Sequence, residues 1–203
     1  MPRARIEKTV VSGVFSLDGE DFDVENNVWL VGDDDEVVVI DAPHDAAPIV
    51  EAIGGRRVLA IVLTHGHNDH ITAAPELRRV TRAPIWFHPA DQMLWSVVHS
   101  RTKPDHALDE GTAFTVAGAT LRALHTPGHS PGSTCLHAER LNAVFTGDTL
   151  FNGGPGATGR SFSDRPTILR SIRTKLLTLP GDTVVHTGHG DDTTIDAERP
   201  NVT

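Results

Sequence analysis

The sequence predicts an α/β sandwich, and three observations carry that prediction. Short apolar runs bounded by turn residues recur along the chain at strand length. Four segments with apolar residues at helical spacing interrupt them, falling in both halves. Strands this apolar have two faces to bury, so helices must cover the sheets from outside.

In chain order, strands are expected over residues 9–15, 27–31 and 36–41. Asp33-Asp34-Asp35-Glu36, just before the third, reads as a hairpin turn rather than a calcium loop. A helix over 46–53 leads to a strand over 57–64, then to a helix over 71–80. A strand over 84–87 and a helix over 89–98 follow, and a polar, locally basic stretch over 99–106 reads as a loop. Four strands come next, over 112–116, 120–125, 133–137 and 142–146. Gly153-Gly154-Pro155-Gly156 is a loop and not a phosphate cradle, since no Gly-Lys-Ser/Thr follows and Pro155 lacks an N–H. The last helix is expected over 164–179, with Pro166 in the first turn where a missing N–H costs little, and the last strand over 183–187.

Composition bounds the function. A chain of 203 residues is expected to form a single domain, 1–203, large enough to bury its own core. The net charge of −9 argues against nucleic acid and against an anionic membrane surface as partners, because both are held through basic faces. No apolar run approaches the ~20 residues of a membrane span. The basic residues near the start are followed by no apolar segment, so a cytoplasmic location is expected. Cys135 is the only cysteine, which excludes an intrachain disulfide and a thiolate cluster. A small-molecule substrate remains, and the 12 histidines say where it would react.

Polar, His- and Asp-bearing segments sit just past the ends of apolar strands. Residues 60–64 run into His65, 121–125 towards His129, 143–145 towards Asp148, and 184–185 towards His189. Strands hold such residues rigidly at one edge of a sandwich. In Thr64-His65-Gly66-His67-Asn68-Asp69-His70, His65 and His67 are two apart in an extended turn and can reach one metal. Asp69 and His70 come round the bend towards a second, and His129, Asp148 and His189 supply what each still lacks. Five imidazoles and two carboxylates suit zinc, with iron and manganese as alternatives; a soft metal would need sulfur. His125 and His186 lie inside strand patterns and are expected to be packed there, while His44, close after Asp41, is a candidate for the mouth. Arg101 and Lys103 on the 99–106 loop, and Arg160 and Phe162 beyond Asp148, are candidate pocket residues for an anionic substrate.

His65-Gly66-His67-Asn68-Asp69-His70, with His129, Asp148 and His189, resembles the H-x-H-x-D-H signature and ligand order of the metallo-β-lactamase superfamily. Residues 126–133 and 145–148 are similar to the family's other metal motifs, and the ending around Gly188-His189-Gly190-Asp191 looks like its short glyoxalase II-like branch. The resemblance implies a four-layer αββα sandwich with a site for two divalent metal ions at one edge of the sheets. It implies that His65, His67 and His129 hold the first ion, Asp69, His70 and His189 the second, and that Asp148 bridges. A metal-bridging hydroxide would then attack the acyl carbon, with Asp69 as ligand and proton relay and Asp41 supporting the metal loop from behind.

A thiol leaves readily, its pKa being about 8.5, so a small thioester is the expected substrate. A mononuclear iron-dependent persulfide (sulfur) dioxygenase is the alternative within the superfamily, and a metal-bound scaffold or sensor the non-enzymatic one. Asp148 stands where the commonest metallo-β-lactamases carry a cysteine, and the chain has no tyrosine to support an oxyanion as homoserine-lactone lactonases do. Neither antibiotic nor lactone hydrolysis is therefore expected. The helical glutathione-gripping domain of full-length glyoxalase II enzymes is not expected either, because the chain stops soon after His189.

Overall fold

A long antiparallel hairpin opens the chain. In the computed structural model, which describes residues 4–202, strands β1 (Arg5–Leu17) and β2 (Glu20–Gly32) pair along their whole length. Asp18 and Gly19 join them with φ of 55° and 79°, as a two-residue turn matched to strand twist requires. The strands expected over 9–15 and 27–31 are the inner pieces of this hairpin. Residues 20–25 are mostly exposed, so no buried apolar alternation marks them as strand.

Strand β3 (Glu36–Ile40) runs antiparallel to β2, and β4 (Arg57–Val62), β5 (Ile85–Phe87) and the short β6 (His106–Ala107) follow in parallel. The first sheet therefore has the order β1-β2-β3-β4-β5-β6. Helices α1 (Ala46–Ile53), α2 (Asn68–Ile71), α3 (Ala74–Thr81) and α4 (Gln92–Val98) connect its strands. The second sheet begins with β7 (Ala113–Val116), β8 (Ala119–His125), β9 (Thr134–Ala138) and β10 (Ala143–Gly147). A small ribbon, β11 (Leu150–Phe151) with β12 (Gly154–Pro155), and helix α5 (Arg165–Ser171) precede β13 (Val184–Thr187), β14 (Thr193–Thr194) and α6 (Ile195–Glu198). Its order is β14-β13-β10-β9-β8-β7.

Alternation within the strands builds four layers. Val37 and Val39 face a core shared with Ile49 and Ile53 of α1, Leu77 of α3 and Trp95 of α4. Val38 and Ile40, pointing the other way, meet Leu121, Leu136 and Phe145 of the second sheet. The outer face of that sheet, with Val144 and Val185, packs on Ile168, Ile172 and Leu176. Both faces of the central strands are buried, so 37–40 is an unbroken apolar run. The order is helices, sheet, sheet, helices: the αββα sandwich.

Two helix expectations need correction. The helix expected over 71–80 is two: α2 takes in Asn68, Asp69 and His70 of the histidine motif, and α3 restarts with Pro75 in its first turn. The helix expected over 164–179 is α-helical only to Ser171 and continues as a π-turn over Ile172–Leu176. Strands β6, β11, β12 and β14 escaped the sequence pattern because two residues carry no periodicity. The acidic turn before β3 is as expected, with Asp33 Oδ1 accepting from the backbone N–H groups of Asp35 and Glu36. No helix among the described residues is long and apolar enough to cross a membrane.

Candidate metal centre

Strand direction gathers the site. Strands β8 and β10 are both antiparallel to β9, and β13 is parallel to β10, so β8, β10 and β13 all end at one edge of the second sheet. The end of β4 meets them from the first sheet, where the backbone N–H of Thr134 donates to Thr64 O at 2.8 Å. His65, His129, Asp148 and His189 follow these four ends within a few residues. The backbone stays close because glycines leave room for it. A Cβ on Gly66 would lie 2.7 Å from that of Leu94, and one on Gly188 would lie 2.3 Å from Asp148 Oδ1.

The seven side chains singled out by the sequence converge there. His65 Nε2 and His129 Nε2 each stand 3.0 Å from His67 Nδ1, forming a first group. In a second, His70 Nε2, His189 Nε2 and Asp69 Oδ2 lie 3.2–3.5 Å apart. Asp148 spans the two: Oδ1 is 3.3 Å from His70 Nε2, while Oδ2 is 3.4 Å from His189 Nε2 and 3.6 Å from His129 Nε2. Donor atoms around a tetrahedral zinc ion stand about 3.3 Å from one another, so these spacings fit a metal shell. Buried Asp69 Oδ1 and Asp148 Oδ1 have no hydrogen-bond partner. A buried carboxylate oxygen left so beside converging imidazoles is what a cation satisfies. The donor set fits metal ions.

The electrostatics agree. Burial, with His70 and His67 close by, holds His65 well below the ordinary imidazole value. Burial and His129 push His67 down to about 3. Both imidazoles are neutral at pH 7, as a metal ligand must be. Burial opposes ionisation of Asp148, yet His70 and His189 beside it keep it well below the usual carboxylate range. Asp69 behaves alike: burial opposes its charge, and His70 and His189 bring it down to about 2. Against burial, Asp148 and its fellow carboxylates lift His70 well above the imidazole value and His189 to about 10. Without metal, protons on these two rings supply the positive charge the carboxylates demand.

A layer behind these groups fixes their direction. Asp41 accepts from Thr64 N at 2.7 Å and from His70 Nδ1 at 2.8 Å, leaving His70 Nε2 to face the cluster. His129 Nδ1 donates to Ala157 O at 2.9 Å and His189 Nδ1 to Glu25 O at 2.7 Å. Asp91, buried in the turn before α4, joins the two halves. It accepts from Gly66 N at 2.8 Å, Ser130 Oγ at 2.6 Å and Gly132 N at 2.6 Å. Asn26 of β2 reaches Asp69 Oδ2 at 3.0 Å. Neither Asp91 nor Asn26 was singled out from sequence. The Asn26-Asn27 pair inside an apolar strand was the one available signal for the second.

A cavity of about 360 Å³ opens over the cluster, lined by Phe15, Val24, Glu25, Asp69, His129 and Asp148 among others. The end of the hairpin supplies its apolar wall, Phe15 from the strand expected over 9–15 and Val24 from outside the expected strands. Of the candidate pocket residues, Arg160 lines a narrow branch beside His67 and His129. It pairs with Glu20 at 2.7 Å and lies over the Phe22 ring at 4.8 Å. Phe162 has a φ of 70°, is half exposed and lines neither space. Arg101 and Lys103 are exposed and line neither space. Their loop is drawn away onto α3 and α4, where Lys103 O accepts from Arg78 and Thr102 O from Trp95 Nε1. His44 sits behind the cluster rather than at its mouth, with Nε2 2.7 Å from Asn26 Oδ1. His125 and His186 are packed as expected: His125 Nε2 donates to Pro131 O, and His186 Nδ1 to Asp192.

Comparison with known proteins meets this geometry. The sequence model of the metallo-beta-lactamase superfamily matches residues 22–189. Hydroxyacylglutathione hydrolase GloC of Haemophilus influenzae is 32% identical over 191 residues, covering 86% of this chain and 90% of that protein. The crystal structure of BLEG-1 B3 metallo-beta-lactamase superposes with a TM-score of 0.77 at 32% identity, covering 92% of this chain and 95% of that one. TTHA1623 in a di-iron-bound form also gives 0.77, at 30% identity, covering 88% and 94%.

Proposed function

Since this chain belongs to the metallo-beta-lactamase superfamily, we propose that it is a metal-dependent hydrolase of small thioesters working with two divalent ions. The observation that carries the reading is Asp148, which stands between the two donor triads: its Oδ2 is 3.6 Å from His129 Nε2 of the His65, His67, His129 group, and its Oδ1 and Oδ2 are 3.3 Å from His70 Nε2 and 3.4 Å from His189 Nε2 of the Asp69, His70, His189 group. Two ions so held supply a water-derived nucleophile at neutral pH and polarise an acyl carbonyl.

The protein's own groups do the rest. Asp69 lines the cavity and carries one oxygen without a partner, so it can take and return a proton there. Asp41 fixes the ring of His70, and the carbonyls of Ala157 and Glu25 fix those of His129 and His189. Phe15 and Val24 offer an apolar wall to an acyl group. Arg160, in the branch beside His67, suits an anionic carrier. A thiolate leaves without an acid to protonate it, so the leaving group asks for no further proton donor. GloC, by its name a hydroxyacylglutathione hydrolase, supports this choice of substrate class. The di-iron form of TTHA1623 makes iron as fitting a pair as zinc.

The test is a substrate panel: acyl thioesters of glutathione, mycothiol and coenzyme A, a β-lactam because BLEG-1 bears that name, and a persulfide followed by oxygen uptake. Turnover of at least one thioester, lost on chelation and restored by metal, is expected. Thioesters left intact while the β-lactam is opened, or oxygen consumed with one iron per chain, would overturn the assignment.

A further inference from the structure

Asn26 is placed where no supporting residue needs to be. It is fully buried on β2, and its carboxamide nitrogen stands 3.0 Å from Asp69 Oδ2, 3.3 Å from His70 Nε2 and 3.4 Å from His189 Nε2. Those three atoms are themselves 3.5 Å (Asp69 to His70), 3.3 Å (Asp69 to His189) and 3.2 Å (His70 to His189) apart. All six separations lie between 3.0 and 3.5 Å. The four atoms therefore form a nearly regular tetrahedron. Its centre is about 2.0 Å from every corner, the length of a zinc–nitrogen or zinc–oxygen bond. Asp41, which braces the motif from behind, meets His70 at the nitrogen facing away from the cluster, whereas Asn26 meets the three atoms that face into it.

We propose that Asn26 is a further ligating residue of the second metal group, presenting its carboxamide oxygen to the cation. The proposal rests on the two-metal reading above. An amide NH2 has no lone pair to give, so on loading the carboxamide turns half a revolution and Oδ1 takes the corner now held by Nδ2. His44 makes both settings available. Its Nε2 lies 2.7 Å from Asn26 Oδ1, and a neutral imidazole donates there in one tautomer and accepts in the other. In the turned setting Asn26 Nδ2 donates to His44 Nε2. The imidazole is held for this, because it packs over Gly13, where a Cβ would fall 2.2 Å from its ring. A neutral, hard oxygen at that corner favours zinc, iron or manganese over softer ions.

Metal-stripped wild type, Asn26→Ala and Asn26→Asp are titrated with zinc against a chromophoric chelator, which reads equivalents and affinities without any activity assay. Wild type is expected to take up two equivalents; fewer would overturn the two-metal reading itself. Given two, Asn26→Ala is expected to keep the first unchanged, which also reports a folded site, and to weaken the second about 10–100-fold. Asn26→Asp retains the shape and supplies an oxygen, so it is expected to hold the second equivalent at wild-type strength or tighter. A residue that only donated to Asp69 would behave in the opposite way, with two carboxylates face to face and the second equivalent lost. An unchanged second equivalent in Asn26→Ala, or one as weak in Asn26→Asp as in Asn26→Ala, overturns the proposal. If Asn26→Ala does not fold, Asn26→Asp decides alone: a second equivalent weaker than wild type overturns it.

Discussion

The two ends of the sandwich carry the same kinds of residues and do opposite things with them. At the end where β3, β4, β8 and β10 begin, a cavity of about 730 Å³ is lined by Asp33, Asp35, Glu36 and Arg140, twice the volume of the one over the histidines. Three of these four side chains already have partners, and the fourth, Asp35, is exposed to solvent. Glu36 pairs with Arg57 and accepts from Ala117 N, Asp33 caps its own turn, and Arg140 donates to Gly118 O. At the other end Asp69 Oδ1 and Asp148 Oδ1 are buried without a hydrogen-bond partner. A site is made by convergent donors left wanting a partner, and volume alone does not make one.

Breaking the wanting end should show first in activity. His67→Ala and Asp148→Ala are each expected to lower thioester kcat/KM by about 1,000-fold while far-UV circular dichroism stays native. Activity near wild type in either variant would mean that the converging groups are not the reacting ones.

Loss of the clamp behind that end should show in stability. Asp91→Ala strips the acceptor from Gly66 N, Ser130 Oγ and Gly132 N at once. Urea unfolding is expected to fall by about 3 kcal/mol, since buried donors are left unsatisfied. A loss under about 1 kcal/mol would show that the two loops hold each other without it.

Acid should weaken the chain next to the site. His88 stacks on His125 with ring centroids 4.0 Å apart, and burial with that neighbour pushes it down to about 4. In the unfolded chain the same imidazole takes up a proton near about 6.5. Between those values the unfolded state binds more protons, so stability falls as pH drops through the window. His88→Asn keeps an acceptor for Ala90 N, which His88 Nδ1 caps. Its melting temperature is expected to fall less steeply than wild type from pH 6.5 to 4; parallel slopes would remove His88 from the account.

The answered end should barely respond. Arg140→Ala is expected to leave kcat/KM unchanged and to shift stability by about 0.5 kcal/mol or less. A large loss of activity there would mean that the bigger cavity takes part after all.

The same contrast explains what the sequence made legible. The αββα layering was readable because strands such as residues 37–40 are apolar on both faces and helices recur at their own spacing. His65, His67, Asp69, His70, His129, Asp148 and His189 were readable because each follows a strand end or lies in one short motif. Arg101, Lys103 and Phe162 were chosen on proximity in sequence or a local charge, and neither says which way a loop folds. Val24 was hidden by exposed, mostly polar neighbours at residues 20–25. Asp91 and Asn26 were hidden because their partners are 18 and more residues away, a pairing that only the fold creates.

Zinc titration of the metal-stripped wild-type chain, read by native mass spectrometry, bears most directly on the claim that these donors form one centre. Two tightly held equivalents per chain are predicted. One or none would contradict it.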